Sequence, residues 1–415
     1  MAERDKLALL GGPKVKTTPY GTGSKHDADA EAEALRRRLH LGPLPLAMGP
    51  SIRELRQKVA ELLGVRYCVP TSSGTAAVHA ALAALGVKPG DEVITTPLTD
   101  HGTVIGIMQL NAIPVFADVN PATMMIDAET IRPRLSPRTR VLLPVHLAGC
   151  PAEMTGIMEL AREAGLPVLE DCAQSWFAEW EGKRVGSIGK VGVFSINESK
   201  HISAGEGGVL VTDDEALARY ADLFVDKSYN RSGEGPVDPV MPALNYRLSE
   251  VNAVLALEQL KRLPALAQRR YALGEKLAAG IADLPGVSLL RPPSGSRSSY
   301  WHGVLLVEEE SAGIDGPGFA RALAAEGIRA GAPVSRYLLD WPLFRKLNEN
   351  PHAFPTYIPP GLQAGRFHRE SCPNAIATLR RSVRVHLDEF CTDQDIEETI
   401  AAIRKVARHY GRERA

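Results

Sequence analysis

One lysine in this chain stands in surroundings that suit a nucleophile better than a solvated charge. Lys200 lies in the run FSINESKHISAGEGG, residues 194–208, which leads through Gly205-Glu206-Gly207-Gly208 into the β-branched stretch 209–212. Most lysines simply sit in water, but three glycines around Glu206 let the backbone approach a ligand or take up positive φ. An amine that sheds its proton in a confined site can attack a carbonyl and form a Schiff base. A second cluster is Glu170-Asp171-Cys172-Ala173-Gln174, just past the apolar run 166–169. A carboxylate at a strand end can cap the next loop, or it can be held against a cationic ring nitrogen. The third cluster is Thr71-Ser72-Ser73-Gly74-Thr75. Small hydroxyl residues opening a helix present free N–H groups and the positive end of its dipole to an anion, although Ser/Thr-Gly is also ordinary capping chemistry.

A lysine nucleophile, a strand-end carboxylate and an anion cradle are together what pyridoxal phosphate (PLP) requires, because its protonated pyridine ring is an electron sink. Gln174 could donate to the phenolic oxygen of such a cofactor. The rival phosphate-binding patterns are absent: there is no GxxxxGK[ST] spacing, and no GxGxxG follows the first strand. That argues against a nicotinamide oxidoreductase on the same kind of sheet.

These residues need a scaffold that gathers the ends of several strands. Strands are expected at 65–69, 92–96, 113–117, 141–146, 167–170 and 209–212, with helices over 51–64, 75–85, 152–164 and 214–225. Ser51 suits an N-cap, with Glu54 completing a capping box. Short, nearly continuous apolar strands separated by helices predict a mostly parallel, doubly wound sheet buried on both faces. In such sheets ligands bind outside the carboxyl ends of the strands, where all three clusters fall.

The chain divides in this reading into an irregular arm over 1–50, a large α/β domain over 51–262 and a smaller α+β domain over 263–415. A helical stretch over 248–283 is the connector, and 228–242 is a polar loop. The small domain is expected to carry strands at 287–290 and 302–307, a helix near 317–326 and a terminal helix after Thr392. The Pro- and aromatic-rich segment 341–371 reads as a long ordered loop.

Composition excludes other classes. The 415 residues are 44% hydrophobic and 23% charged, unlike a disordered, fibrous or coiled-coil chain. Lys and Arg total 48 against 49 acidic residues, a net charge of −1 that offers no footprint for nucleic acid or an anionic membrane. Partners should be small molecules or other protein chains. Five scattered cysteines without a CxxC pair suit neither a disulfide framework nor a metal centre. With no secretory leader and no apolar run of ~18 residues, a reduced, cytoplasmic enzyme is expected.

The chain resembles the DegT/DnrJ/StrS-type aminotransferases, fold-type-I PLP enzymes that aminate keto-sugars and keto-cyclitols. The likeness covers most of the sequence and is densest over 52–262. It rests on Ser73-Gly74-Thr75, PVHLAGCPAEM at 144–154, Glu170 to Gln174, Phe194-Ser195 with Lys200 and GEGG, and Asn245-Tyr246-Arg247-Leu248-Ser249-Glu250. The resemblance implies that Lys200 forms the Schiff base and shuttles the proton, that Asp171 pairs with the pyridine nitrogen and that Gln174 bonds the phenolic oxygen. It places Ser73, Gly74, Thr75 and Ser195 at the phosphate and His101 at the ring-stacking position, where relatives carry an aromatic. Asn245 matches a residue that reaches the neighbouring subunit's cofactor, which implies a homodimer with shared active sites.

The implied reaction moves an amino group from L-glutamine or L-glutamate to a keto-cyclitol or keto-sugar in secondary metabolism of the aminocyclitol-antibiotic type, without a metal. One branch of the family replaces the lysine with histidine and is a dehydratase. His201 adjoins Lys200, but the six-residue step from Phe194 and the distance to GEGG put Lys200 at the catalytic position. The start Leu-Ala-Leu-Leu-Gly-Gly-Pro and the Asp226-Lys227…Arg231 loop look closest to the cyclitol and aminobenzoate branch. Substrate-pocket candidates are Trp176, Arg297, Tyr300, Trp301, His302 and Tyr337; Trp176 and Phe177 stand where relatives carry small residues or histidine. The competing activities are a PLP-dependent sugar dehydratase or aromatising aminobenzoate synthase, and a non-catalytic PLP-binding regulatory protein.

Overall fold

The computed structural model describes residues 6–231, 235, 237–350 and 367–412. Seven strands form the large sheet: β1 (Tyr67–Thr71), β2 (Glu92–Thr95), β3 (Ile113–Phe116), β4 (Thr139–Leu143), β5 (Leu169–Asp171), β6 (Val191–Ser195) and β7 (Gly208–Thr212). Their order is β1-β7-β6-β5-β4-β2-β3, the two halves being joined by the parallel bridges Leu142↔Val168 and Val145↔Asp171. Every neighbouring pair is parallel except those made by β7, which runs antiparallel to β1 and to β6. An antiparallel partner needs no crossover helix. The chain therefore returns from β6 to β7 through the loop that carries Lys200, and this loop stays at the carboxyl edge of the sheet.

Side chains alternate between two cores, as period-2 geometry demands. Val193 and Leu210 face one core with helix α3 (Gly74–Ala84), whereas Phe194, Val209 and Val211 face the other, under helix α2 (Pro50–Leu63). The first half of α7 (Glu250–Ile281) lies on that second side, and its later turns enter a third core in the small domain. There β8 (Val287–Leu289), β9 (Gly303–Val307), β10 (Ala330–Gly331) and β11 (Ser382–Val385) pair antiparallel in the order β8-β9-β11-β10. The terminal helix Asp393–Arg412 closes this domain.

Three expectations change. The arm is not irregular throughout, because Ala28–His40 is an α-helix capped by Asp27, whose side chain accepts from the Ala30 N–H at 3.1 Å. The local capping box at Ser51 is not used either: α2 starts at Pro50, and Glu250 of α7 takes the Ser51 and Ile52 N–H groups while also pairing with Arg38 of the arm helix. Within the segment expected to be a loop, Pro342–Glu349 is helical and 369–371 form a 3₁₀ turn, while 351–366 lie outside the described residues.

The start of the arm is pinned to the small domain by Lys16, buried against Asp395 at 2.5 Å and Glu398 at 2.6 Å. Burial by itself would raise the Asp395 carboxyl; Lys16 and the donors of Gly21 and Thr392 outweigh it and hold it well below the usual carboxylate range. A carboxyl depressed in the folded state adds stability above its unfolded value, and that stability drains away as pH falls through the folded value. Asp395→Asn should therefore lower the urea midpoint clearly at neutral pH. The gap from the parent should narrow as pH drops below the ordinary carboxylate range, and a gap independent of pH would refute this assignment.

Candidate active site

The carboxyl ends of the strands open into a cleft of about 670 Å³. Ser73, Gly74, Thr75, Asp171, Gln174, Ser195 and Lys200 all line it. Each arrives by a separate local device. The Ser73 hydroxyl caps α3 by accepting from the Ala76 N–H at 3.0 Å, which leaves the first-turn N–H groups of Gly74 and Thr75 without an intrahelical acceptor. The helix can approach this closely because β7 begins with glycine: a Cβ on Gly208 would lie 2.5 Å from the Ser73 carbonyl oxygen. Gly205, at φ +77°, turns the lysine loop back into β7.

The paired carboxylates Glu170 and Asp171 face opposite ways, as neighbours on a strand must. Glu170 is fully buried and accepts from the N–H groups of Gly186, Ile188 and Gly189 at 2.8, 2.8 and 2.6 Å. It also meets His146 Nε2 at 3.1 Å, while His146 Nδ1 accepts from the Ala152 N–H at 2.9 Å. That carboxylate ties a loop together. Glu170→Gln puts an NH₂ against N–H donors in either orientation and should cost about 1–3 kcal/mol, the penalty of leaving buried donors unsatisfied; a urea unfolding midpoint equal to the parent's would contradict this.

Asp171 faces the cleft. Its Oδ2 accepts from Thr103 at 2.7 Å and its Oδ1 from the Ala173 N–H at 3.0 Å. Burial raises its pKa, against the opposing pull of those donors and of Lys200. Gln174 accepts from the Ala148 N–H at 2.8 Å through Oε1, leaving its Nε2 donors for the cleft. Lys200 is 8% exposed, its Nζ has neither a hydrogen bond nor a carboxylate within salt-bridge distance among the described residues, and it lies 4.3 Å from the centre of the Trp301 ring. Burial lowers its pKa, with Asp171 and Asp100 acting in the other direction. His201 turns away, 1% exposed, its Nε2 3.2 Å from the Ser299 carbonyl oxygen.

The structure does not gather every expected residue. Of the substrate candidates only Trp301 and His302 line the cleft. His302, its ring tilted against that of Trp301 with centres 4.2 Å apart, has its pKa pushed down to about 3 by burial and the nearby Arg384. Trp176 is fully buried beneath β6, where its indole N–H donates to the Ser195 carbonyl at 2.8 Å and its ring packs on Phe194. Tyr300 is sealed in the small-domain core with its hydroxyl on Glu275, Arg297 stacks on Tyr271, and Tyr337 donates to the Arg369 carbonyl. These four make packing and joining contacts and do not line the cleft. His101 does not line the cleft itself, although Asp100 and Gly102 on either side do; its ring lies 5.4 Å from that of Trp341. Asn245 is exposed and outside the cleft, bridged by its backbone to Asp226. Thr103, Arg336 and Arg384 line the cleft and were not anticipated. Neither guanidinium has a carboxylate partner among the described residues.

Comparison with known proteins gives a consistent picture. A model of the DegT/DnrJ/EryC1/StrS aminotransferase family matches residues 27–356. A protein of Streptoalloteichus tenebrarius, provisionally named an L-glutamine:3-amino-2,3-dideoxy-scyllo-inosose aminotransferase, is 34% identical over 82% of this chain and 85% of its own length. The spore coat polysaccharide biosynthesis protein SpsC of Bacillus subtilis is 31% identical over 88% of this chain and 91% of its own. Among solved structures, DesV of S. venezuelae in complex with a ketimine intermediate superposes with a TM-score of 0.79 at 26% identity, covering 94% of this chain and 99% of that one. No helix among the described residues is long and apolar enough to cross a membrane.

Proposed function

Since the chain belongs to the DegT/DnrJ/EryC1/StrS aminotransferase family, we propose that this cleft holds PLP and transfers an amino group from L-glutamine or L-glutamate to a keto-cyclitol or keto-sugar. The observation that carries the reading is Lys200, a buried amine with no ion-pair partner among the described residues, in one cleft with Asp171 and an open helix N-terminus. Each part of the cofactor finds a matching group there. The first-turn N–H groups and Ser195 suit a phosphate, Asp171 suits a protonated ring nitrogen, and Lys200 suits an aldehyde.

PLP, when bound, supplies the electron sink for the charge left as an α-proton departs. The protein does the rest. Asp171 holds a proton on the ring nitrogen, and Thr103 with the Ala173 N–H fixes its carboxylate in place. Gln174 presents its Nε2 donors to the phenolic oxygen. Lys200, whose pKa burial lowers, is a competent base at its Nζ: it takes the proton from the donor's α-carbon and returns one on the other side of the exchange. Arg336 and Arg384 leave positive charge on the small-domain side, suited to the donor's carboxylate.

The keto-cyclitol acceptor is supported by the name of the S. tenebrarius relative, and the keto-sugar alternative by the polysaccharide role of SpsC. A dehydratase built on His201 is disfavoured, because that ring packs into the interior while Lys200 faces the cleft. Homodimerisation is part of the proposal; the exposed, cleft-free position of Asn245 leaves it available to a second subunit. The test is to incubate the PLP-loaded protein with L-glutamine or L-glutamate and either a keto-cyclitol or a nucleotide-linked keto-sugar, and to look for the amine by mass spectrometry. Amine formation with one donor and one acceptor class supports the reading. Water loss without amine points to the dehydratase, and no half-reaction with any donor points to a non-catalytic protein.

A further inference from the structure

Three consecutive carbonyls on the Lys200 loop are held by side chains from outside the large sheet. Lys25 of the arm donates from Nζ to the Lys200 carbonyl at 2.6 Å and to that of Glu198 at 3.4 Å. Trp301 of the small domain donates from Nε1 to the Ser199 carbonyl between them, at 2.8 Å. The same indole is the ring that faces the Lys200 ammonium at 4.3 Å.

Both donors are themselves fixed. The Lys25 carbonyl accepts from Gln259 and Arg262 of α7. The Trp301 carbonyl accepts from Arg270 at 3.1 Å, and Arg270 is locked in a buried pair with Glu389. The Trp301 N–H donates to the Ala148 carbonyl, whose own N–H is the one on Gln174. The loop's own hydrogen bonds are local: Glu198 N–H to the Gly205 carbonyl at 3.0 Å, Ala204 N–H to that of Ile196 at 2.9 Å, Lys200 N–H to that of Asn197 at 3.1 Å, and the Ser199 N–H and hydroxyl to Asn197 Oδ1 at 3.1 and 2.9 Å. These bonds shape the loop but none reaches Asp171 or Gln174, so external anchors must keep its lysine in register with those two residues.

We propose that Lys25 and Trp301 form a clamp that positions Lys200, one jaw from the arm and one from the small domain. Neither is a catalytic residue; each acts through the backbone of the loop, and Trp301 also sets the place of the amine over its ring. The proposal rests on the reading of Lys200 as the reacting amine, and its test separates the two.

Hydrogen exchange by mass spectrometry on the cofactor-free protein reads the clamp directly. In Lys25→Met and in Trp301→Phe, which keeps a ring but removes the donor, peptides covering 197–203 should exchange about 3- to 10-fold faster, the worth of one hydrogen bond, with the rest of the molecule unchanged. Lys25→Arg, which keeps a donor, should restore protection. In the loaded enzyme the first two variants should lower kcat while the KM for the amino donor stays within about twofold. Unchanged exchange in 197–203 overturns the clamp, and so does an increase spread over the whole molecule. If borohydride fixes PLP to a lysine other than Lys200 in the parent protein, the functional reading fails instead, and loop exchange still decides the clamp.

Discussion

Lys200→Ala should eliminate amino transfer, with kcat reduced by roughly 10³-fold or more, because one change removes both the covalent attachment and the base. The fold should survive it. The Nζ makes no hydrogen bond or ion pair among the described residues, and burying a charge that is not paired costs stability, so truncation relieves that cost and loses only the contact with the Trp301 ring. The urea midpoint is therefore expected to equal or exceed the parent's, while borohydride treatment with PLP leaves no label in the 197–203 peptide. Turnover within tenfold of the parent, with intact folding, would refute the assignment of Lys200 as the reacting amine.

Much of this arrangement is legible in sequence because close packing and anion binding demand particular residue types. The glycines after Lys200 and the Ser-Gly-Thr helix opening have few substitutes at positions where backbone meets backbone, as at Gly208 against Ser73. The arm helix is a different case. Its buried positions include Glu31 and Arg38, which pair with Arg262 and Glu250. A helix that docks through charges leaves no apolar period to detect. Strand β6 escapes for a related reason: Gly192 interrupts its apolar run because a Cβ there would strike the Gly186 carbonyl oxygen at 2.2 Å. The cap on α2 could not be found locally, since its acceptor, Glu250, is 199 residues from Ser51.

The substrate residues divide along the same line. Aromatic type alone does not distinguish Trp301, which lines the cleft, from Tyr300, which is sealed in the small-domain core. Tyr300 sits at φ +44°, so no simple strand alternation applies, and the register of the chain against Gly149 and Ala148, set by backbone bonds from Ser299 and Trp301, decides which ring faces the ligand. Arg336 and Arg384 were missed because an arginine is ordinarily a surface charge, and only the folded cleft shows that these two have no acidic partner among the described residues.

Asp171→Asn should separate stability from catalysis. Asparagine is nearly the same size, can still accept from the Ala173 N–H, and can donate to the Thr103 hydroxyl, which is free to turn toward Thr99 at 2.7 Å. Burial raises the pKa of Asp171, so the folded protein binds that proton more tightly than the unfolded chain does. By linkage, ionising it costs stability as the pH rises through the carboxylate range. The neutral variant avoids that cost, and its urea midpoint at neutral pH should match or exceed the parent's. Catalysis should move the other way. Without an anion to hold a proton on the ring nitrogen, kcat should fall by roughly 10²–10³-fold, the range for deleting one preorganised electrostatic partner of a developing charge. The acid limb of the parent's kcat profile, where Asp171 takes up its own proton, should be absent from the variant. A variant that is both slower and markedly less stable would instead make Asp171 a structural carboxylate like Glu170. A variant that is as fast as the parent would remove it from the mechanism altogether.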